Sequence, residues 1–224
     1  MLTPPIAPVN HFSIARYWEQ GDAISHAVAY LLLAMSLVSW FFIMSKALST
    51  WRVRQAAPAL DAFWAAPNLQ DGIALLRRAD RERVYVSLPV QGLAHAGGAA
   101  TLAGEMSRDE QVIRVLRQEI TRSTHRIENG VTLLASIGAT APFVGLLGTV
   151  WGIYHALSNV SAAGIVQIDK IAGPVGEALI MTGFGLVVAI PAVLAYNGLN
   201  RLNRLTLAEL DGFAHDLHSY FTKK

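Results

Sequence analysis

A single carboxylate stands inside an apolar stretch of the sequence, where an ionised group is costly to bury. Residues 173–197 are GPVGEALIMTGFGLVVAIPAVLAYN, and Glu177 is the only charged residue among them. An acidic side chain near the centre of a membrane-spanning helix costs about 2.5–3.5 kcal/mol on insertion scales. A carboxyl retained in such a setting can take up and release protons near neutral pH. The pattern predicts an ionisable group that faces a wet cavity between subunits.

A purely structural carboxylate is the alternative interpretation of Glu177. Such a side chain would extend toward the membrane interface or bond a neighbouring hydroxyl. However, glutamate is shorter than lysine, and glutamine could fill a structural role at a lower desolvation cost. The residue type therefore favours a proton-carrying role.

Two threonines inside the apolar stretches, Thr149 and Thr182, add hydroxyl groups that can orient water. The alternative is that each hydroxyl bonds a carbonyl of its own helix, as threonine often does. Glu177 and Thr182 are five residues apart, which is about 140° around an ideal helix. They can line one cavity only if that cavity is wide or the helix is distorted. Pro174 and Pro191 could distort the helix, because proline kinks helices.

Small residues recur at steps of three and four along two of the apolar stretches, so that each set shares one helix face. Lipid tails give apolar side chains little preference for protein, and spans associate where small residues let backbones approach. The first apolar stretch has a weaker pattern, with Ala27 and Ala34, and we expect it at the periphery. The predicted packing residues are Gly138, Pro142, Gly145 and Gly152 in one stretch, and Ala178, Gly185 and Ala189 in the next.

Three long uncharged or nearly uncharged stretches must position these residues. They lie between Asp22 and Lys46, between Glu128 and Asp169, and between Lys170 and Arg201. A hydrocarbon core about 30 Å thick needs roughly 20 apolar residues of helix, so each stretch is long enough to span it. Only 15% of the chain is charged, against about a quarter in soluble domains. We therefore predict an all-α integral membrane protein with three transmembrane helices and long helical extensions into the cytoplasm.

The basic residues predict the orientation of these spans. Twelve of the 18 Lys and Arg residues lie between the first and second apolar stretches, and four follow the third. Positive charge marks the cytoplasmic side, so the N-terminus is expected in the periplasm of a Gram-negative cell and the C-terminus in the cytoplasm. Nine acidic residues between Asp61 and Glu128 dilute the basic charge, and we expect a solvated face and not a nucleic-acid site.

These observations divide the chain into seven segments. Within the cytoplasmic part, LQDGIALLRRAD predicts a short amphipathic helix, and Ser107 with Glu110 predicts a capping box. We expect the helix that follows to continue through Asn129 and Gly130 into the second span, and the third span to continue into the tail. The segments are a periplasmic N-terminal segment (1–23), a first span (24–45), a cytoplasmic helical domain (46–128), a second span (129–157), a periplasmic connection (158–170), a third span (171–199) and a cytoplasmic C-terminal helix (200–224).

Several function classes find no support in the residues. The chain has no cysteine, and no arrangement of Ser, His and Asp or of paired carboxylates suggests covalent catalysis. The glycine-rich GLLGTVWG lacks the Lys-Ser/Thr of a phosphate-binding loop. We expect a protein that is not an enzyme and that has no cofactor and no metal site.

Two segments carry a resemblance to a known family. SIGATAPFVGLLGTVWGIYHAL and IAGPVGEALIMTGFGLVVAIPAVLAYN resemble the second and third spans of the MotA/TolQ/ExbB proton-channel family. The three-span layout differs from the four spans of the MotA members. Two segments resemble the ExbB members more than the TolQ members: GATAPFVGLLGTVWGI and IDKIAGPVGEALIMT.

The resemblance implies a function, partners and site residues. It implies an inner-membrane homo-oligomeric ring of five copies around single-span ExbD helices, working with TonB. The assembly would use the proton-motive force to drive outer-membrane import of siderophores, haem or cobalamin. Glu177, Thr149 and Thr182 match the functional polar residues of the family's pore. A TolQ-like role in envelope integrity, or a non-conducting scaffold for single-span partners, stays an alternative.

Overall fold

The structure is a computed structural model that describes residues 22–95, 107–163 and 168–223, with side chains except at positions 95, 159–172 and 177. Most of the predicted periplasmic N-terminal segment and part of the predicted periplasmic connection therefore lie outside the described residues. Within the described ranges the chain forms seven helices: α1 (Ala23–Ala56), α2 (Ala59–Trp64), α3 (Leu69–Ala79), α4 (Ser87–His95), α5 (Arg108–Glu128), α6 (Val131–Ala163) and α7 (Ile168–Thr222).

Among the described residues, three helical stretches are long and apolar enough to cross a membrane, by length and composition. They lie within Ala23–Trp64, Arg108–Ser158 and Gly173–Thr222. The prediction of an all-helical chain with three apolar helices of spanning length is thereby confirmed. The third stretch also continues without a break through the tail, as predicted, because α7 extends to Thr222.

The expected continuity from α5 into α6 is wrong. α5 ends at Glu128, and Gly130 adopts the left-handed conformation with φ +82° before α6 begins. A side chain at Gly130 would be strained by that φ, and its Cβ would lie 2.6 Å from the ring of Phe42. The Lys46 ammonium donates to the carbonyl oxygens of Arg126 and Ile127, at 3.3 and 3.5 Å. α5 therefore ends with a left-handed glycine after its last residues, a common helix C-terminus. Lys46 satisfies two of the carbonyl groups that the end of the helix leaves without a partner in the helix.

The described residues divide into two compact units. The first comprises the chain as far as Phe41 together with Leu133–Leu194, and the second comprises Phe42–Thr132 and the chain from Ala195 onward. In the first unit the buried core joins α1, α6 and α7: Val28, Leu32, Ile137, Ala141, Met181, Val188, Ala189 and Ala192.

The second unit has its own larger core, in which the fully buried side chains include Leu76, Tyr85 and Leu88. Local signals in the sequence set several of its helices. The predicted amphipathic helix is α3, and the predicted capping box at Ser107 and Glu110 begins α5; both predictions are confirmed.

Candidate functional site

The candidate site lies in the first unit, where α6 and α7 pack against each other. Gly152 lies beside Ala178, Gly145 beside Gly185, and Gly138 beside Val193. Because residue numbers fall along α6 as they rise along α7, the two helices are antiparallel.

The two helices approach so closely that their backbones touch. A Cβ built on Gly145 would lie 2.6 Å from the carbonyl oxygen of Met181 and 3.1 Å from the Cα of Gly185. A Cβ built on Gly185 would lie 2.7 Å from the carbonyl oxygen of Ala141. Small residues at these positions permit the contact, as they do wherever helices pack without a hydrophobic driving force.

The structure places all seven predicted packing residues at or beside this contact. Ala189 is buried in the core that joins the helices. A Cβ on Gly152 would lie 2.8 Å from the Cβ of Ala178, and a Cβ on Gly185 would lie 3.3 Å from the Cα of Pro142. A Cβ on Gly138 would overlap the side chain of Val193. The small-residue faces of the two helices thus meet within one chain.

Thr149 is buried at this contact, with 4% of its surface exposed. Its hydroxyl donates a 2.7 Å hydrogen bond to the carbonyl oxygen of Leu146 in the same helix. This is the backbone-bonded arrangement that the sequence left open as an alternative. The bond uses the proton of the hydroxyl, and the hydroxyl oxygen keeps its capacity to accept a hydrogen bond.

Thr182 and Glu177 occupy neighbouring levels of α7. A Cβ on Gly145 would lie 3.2 Å from the Cα of Thr182, so this threonine borders the closest contact with α6. Glu177 directly precedes Ala178 and lies about 7.5 Å along the axis from Thr182, at 1.5 Å per residue. The side chain of Glu177 lies outside the described residues. Its place in a cavity shared with Thr149 and Thr182 stays a prediction.

The contact of α1 with the other two helices was not predicted from the sequence. Its predicted small residues, Ala27 and Ala34, are exposed. A Cβ on Gly148 would lie 3.1 Å from Cγ1 of Val28, which marks the actual contact. The contacting stripe is Ser25, Val28, Leu32, Met35 and Ser39. Its spacing of three and four is visible in the sequence, but Val28, Leu32 and Met35 are not small residues.

A carboxylate at the start of α1, Asp22, was also missed. It accepts hydrogen bonds from the Ser25 amide at 2.9 Å and from the Trp151 indole at 2.5 Å. Desolvation acts to raise the pKa of Asp22, but these hydrogen bonds and the nearby His155 outweigh it and lower the pKa to about 2. An Asp immediately before an apolar helix is a recognisable N-cap signal. Through Trp151 it connects α1 to α6 one residue from Gly152.

The outer surface of the first unit is apolar. Phe143 and Val187 are 70% and 67% exposed, and Leu146, Val150 and Leu179 are exposed as well. These are among the larger residues that the small-residue faces leave for lipid or for other helices. A surface of this kind suits a lipid or protein environment and not water.

Comparison with known proteins identifies related sequences. The model of the MotA/TolQ/ExbB proton channel family matches residues 89–211, a range that includes all three predicted pore residues. The chain is 46% identical over 210 residues to the biopolymer transport protein ExbB of Xanthomonas campestris pv. campestris, covering 90% of this chain and 83% of that protein. It is 39% identical over 211 residues to the biopolymer transport protein ExbB of Neisseria meningitidis, covering 90% of this chain and 93% of that protein.

A second group of relatives is more distant. The Tol-Pal system protein TolQ of Pseudomonas aeruginosa is 30% identical over 227 residues, covering 96% of this chain and 95% of that protein. The identity is thus higher to the biopolymer transport proteins, while both groups match over most of the chain.

Proposed function

Because the chain belongs to the MotA/TolQ/ExbB proton channel family, we propose that it is the proton-conducting inner-membrane subunit of a biopolymer transport system. The observation that carries this proposal is the position of Glu177 in α7. It directly precedes Ala178, which lies against Gly152 in the close α6–α7 contact, and Thr149 and Thr182 occupy neighbouring levels.

In this proposal Glu177 takes up a proton from the periplasmic side and releases it toward the cytoplasm, while Thr149 and Thr182 orient water beside it. One unit charge that crosses 100 mV supplies about 2.3 kcal/mol, so mechanical work on a partner needs several protons. A ring of copies, five in the proposed assembly, supplies one carboxylate from each subunit. The exposed apolar surface of the first unit offers area for packing against lipid, other copies and single-span partners.

The proposed partners are ExbD and TonB, and the proposed task is to energise outer-membrane import of siderophores, haem or cobalamin. The identities of 46% and 39% to biopolymer transport proteins named ExbB, against 30% to TolQ, support this branch of the family. The proposed orientation has the N-terminus in the periplasm, with residues 46–128 and 200–224 in the cytoplasm. The distribution of Lys and Arg supports that orientation.

The decisive experiment replaces the proposed proton carrier by a side chain of the same shape that cannot titrate. Glu177→Gln should assemble with ExbD but fail to conduct protons into liposomes and fail to support iron-limited growth. Glu177→Asp keeps the titrating group with a shorter reach and should retain partial activity. Glu128→Gln, the same substitution at an exposed position at the end of α5, is the matched control and should behave as wild type.

Both readouts are normalised to the amount of assembled complex, because lower protein levels alone would reduce activity. A Glu177→Gln variant with full proton flux would refute the proton-carrier role. Normal growth support without any proton flux in the wild type would favour a non-conducting scaffold. Restoration of envelope integrity in a strain lacking its Tol-Pal channel subunit, without support of iron uptake, would favour a TolQ-like role.

The threonines provide a second, graded test of the same pathway. Thr149→Val and Thr182→Val keep the side-chain volume nearly constant while removing the hydroxyls. Both variants should assemble and conduct fewer protons than wild type, without the complete loss expected of Glu177→Gln. Wild-type flux in both would remove the threonines from the proposed pathway.

A further inference from the structure

A small polar cavity lies within the second unit. None of the residues that line it belongs to the proposed proton pathway. Its volume is about 20 Å³. Its walls come from α1, the turn after α3, the end of α5 and α7. The polar residues that line it include Lys46, Ser49, Glu82, Arg126, Asn203 and Thr206.

Asn203 is the residue that makes this cavity informative. Only 3% of Asn203 is exposed, and its side-chain nitrogen has no hydrogen-bond partner among the described residues. Buried side-chain amides are nearly always hydrogen-bonded to protein or to ordered water, because an unmet donor loses its hydration without compensation. A donor of this kind at the wall of a cavity points to a ligand inside the cavity.

The lining determines which ligand fits. Lys46 and Arg126 place positive charge at the cavity and disfavour a cation, whereas Glu82 places a carboxylate there and disfavours an anion. Water both donates and accepts hydrogen bonds, and it therefore suits a lining of mixed character. A site needs roughly 10–15 Å³ to admit one water, so the cavity of about 20 Å³ has room for water.

We propose that an ordered water molecule occupies this cavity, accepts a hydrogen bond from Asn203 and bridges α7 to the charged groups of Lys46 and Glu82. Neither the family nor the proposed proton pathway enters this assignment. It rests on the volume of the cavity, the burial of Asn203 and the polarity of the lining.

The water would complete a longer hydrogen-bond network. Thr206, 4% exposed, lines the same cavity and lies close to the hydroxyl of Tyr85. That hydroxyl in turn donates to Oε2 of Glu209 at 2.7 Å. On the other side, Glu82 forms a 3.4 Å ion pair with Arg52 of α1. The bridging water thus connects α7 to α1 through polar groups at the edge of the apolar core of the second unit.

The direct test is a structure of the full-length chain, in its assembled form in lipid nanodiscs, at a resolution that shows ordered water. The expected result is a density peak about 2.7–3.2 Å from the side-chain nitrogen of Asn203, with a second contact to Glu82, Lys46 or Thr206. No peak beside well-resolved side chains would overturn the proposal. So would a peak that strengthens when chloride is replaced by bromide, because it would identify an anion.

Thermal unfolding tests the same proposal, because the two cases predict opposite changes in the unfolding midpoint when Asn203 is replaced. Asn203→Leu should displace the water, leave its other partners unsatisfied and lower the unfolding midpoint by a few degrees, about 2–4 °C for each kcal/mol lost. If the cavity is dry, the same substitution removes an unpaired amide, fills the space and raises the midpoint. Asn197→Leu, at an exposed position of the same helix, is the matched control and should stay near wild type.

Asn203→Ser keeps the test decisive if the leucine variant does not assemble. A serine retains one donor and leaves room for a second water, so its midpoint should lie close to that of wild type in the hydrated case. A clear gain in stability for the serine variant would contradict the proposal, since it would show that the buried amide was unsatisfied.

Discussion

The close backbone contact between α6 and α7 can be tested by adding a single methyl group to it. Replacing Gly145 by alanine would place the new Cβ 2.6 Å from the carbonyl oxygen of Met181. Comfortable C···O contacts are about 3.3–3.6 Å, so α6 and α7 would have to separate by roughly 0.7 Å or more. The obstructing atom belongs to the backbone and cannot rotate away. We expect a cost of about 1–3 kcal/mol, the usual range for overpacking a well-packed site.

A graded series makes this magnitude measurable. The Cβ of Gly185→Ala would lie 2.7 Å from a backbone oxygen, and that of Gly152→Ala 2.8 Å from the Cβ of Ala178. No described atom lies within 4 Å of the corresponding position at Gly183, which makes Gly183→Ala the control. Thermal unfolding in nanodiscs should show midpoints lowered by roughly 2–12 °C for Gly145→Ala and Gly185→Ala, at about 2–4 °C per kcal/mol.

The control separates packing from helix propensity, because alanine is the better helix former at every one of these positions. Gly183→Ala should therefore be neutral or slightly stabilising. If Gly145→Ala is as stable as Gly183→Ala, the close α6–α7 contact does not exist in the membrane, and the reasoning from small residues fails.

Two further variants test polar contacts in the two units. Asp22→Asn keeps an oxygen that can accept the N-cap and Trp151 hydrogen bonds, but it cannot titrate. The pKa of Asp22 in the folded protein, about 2, lies below the usual 3.8. The stabilisation from the carboxylate is therefore complete above about pH 4 and is lost as the pH falls toward 2. The difference in unfolding midpoint between wild type and Asp22→Asn should therefore shrink over that window, and a constant difference would show that the carboxylate is not stabilised in the fold. Tyr85→Phe removes the bond to Glu209 and should lower the unfolding free energy by about 1 kcal/mol, measured by denaturant titration. Wild-type stability of this variant would show that the bond contributes nothing to the fold.

Much of the architecture was predictable because it depends on neighbours in sequence. Whether a helix is long and apolar enough to span a bilayer depends on about 20 consecutive residues. The capping box at Ser107 and Glu110 depends on four consecutive residues. Glu177 was identifiable as a candidate because its cost follows from the apolar stretch around it. Even the break at Asn129 and Gly130 had a local signal, since glycine is favoured just after a helix. Continuity was expected because no proline or other strong stop precedes the second span.

The sequence by itself determined the helical class, the three apolar stretches, the residues that make helix faces small, and the isolated carboxylate. It did not determine which faces meet. Small residues allow close approach to any partner, and only the tertiary structure decided that Gly145 and Gly185 contact each other within one chain. In the same way it decided that Thr149 bonds its own helix and that Asn203 borders a polar cavity. Contacts between residues distant in sequence depend on how complete helices pack, and local composition does not specify that arrangement.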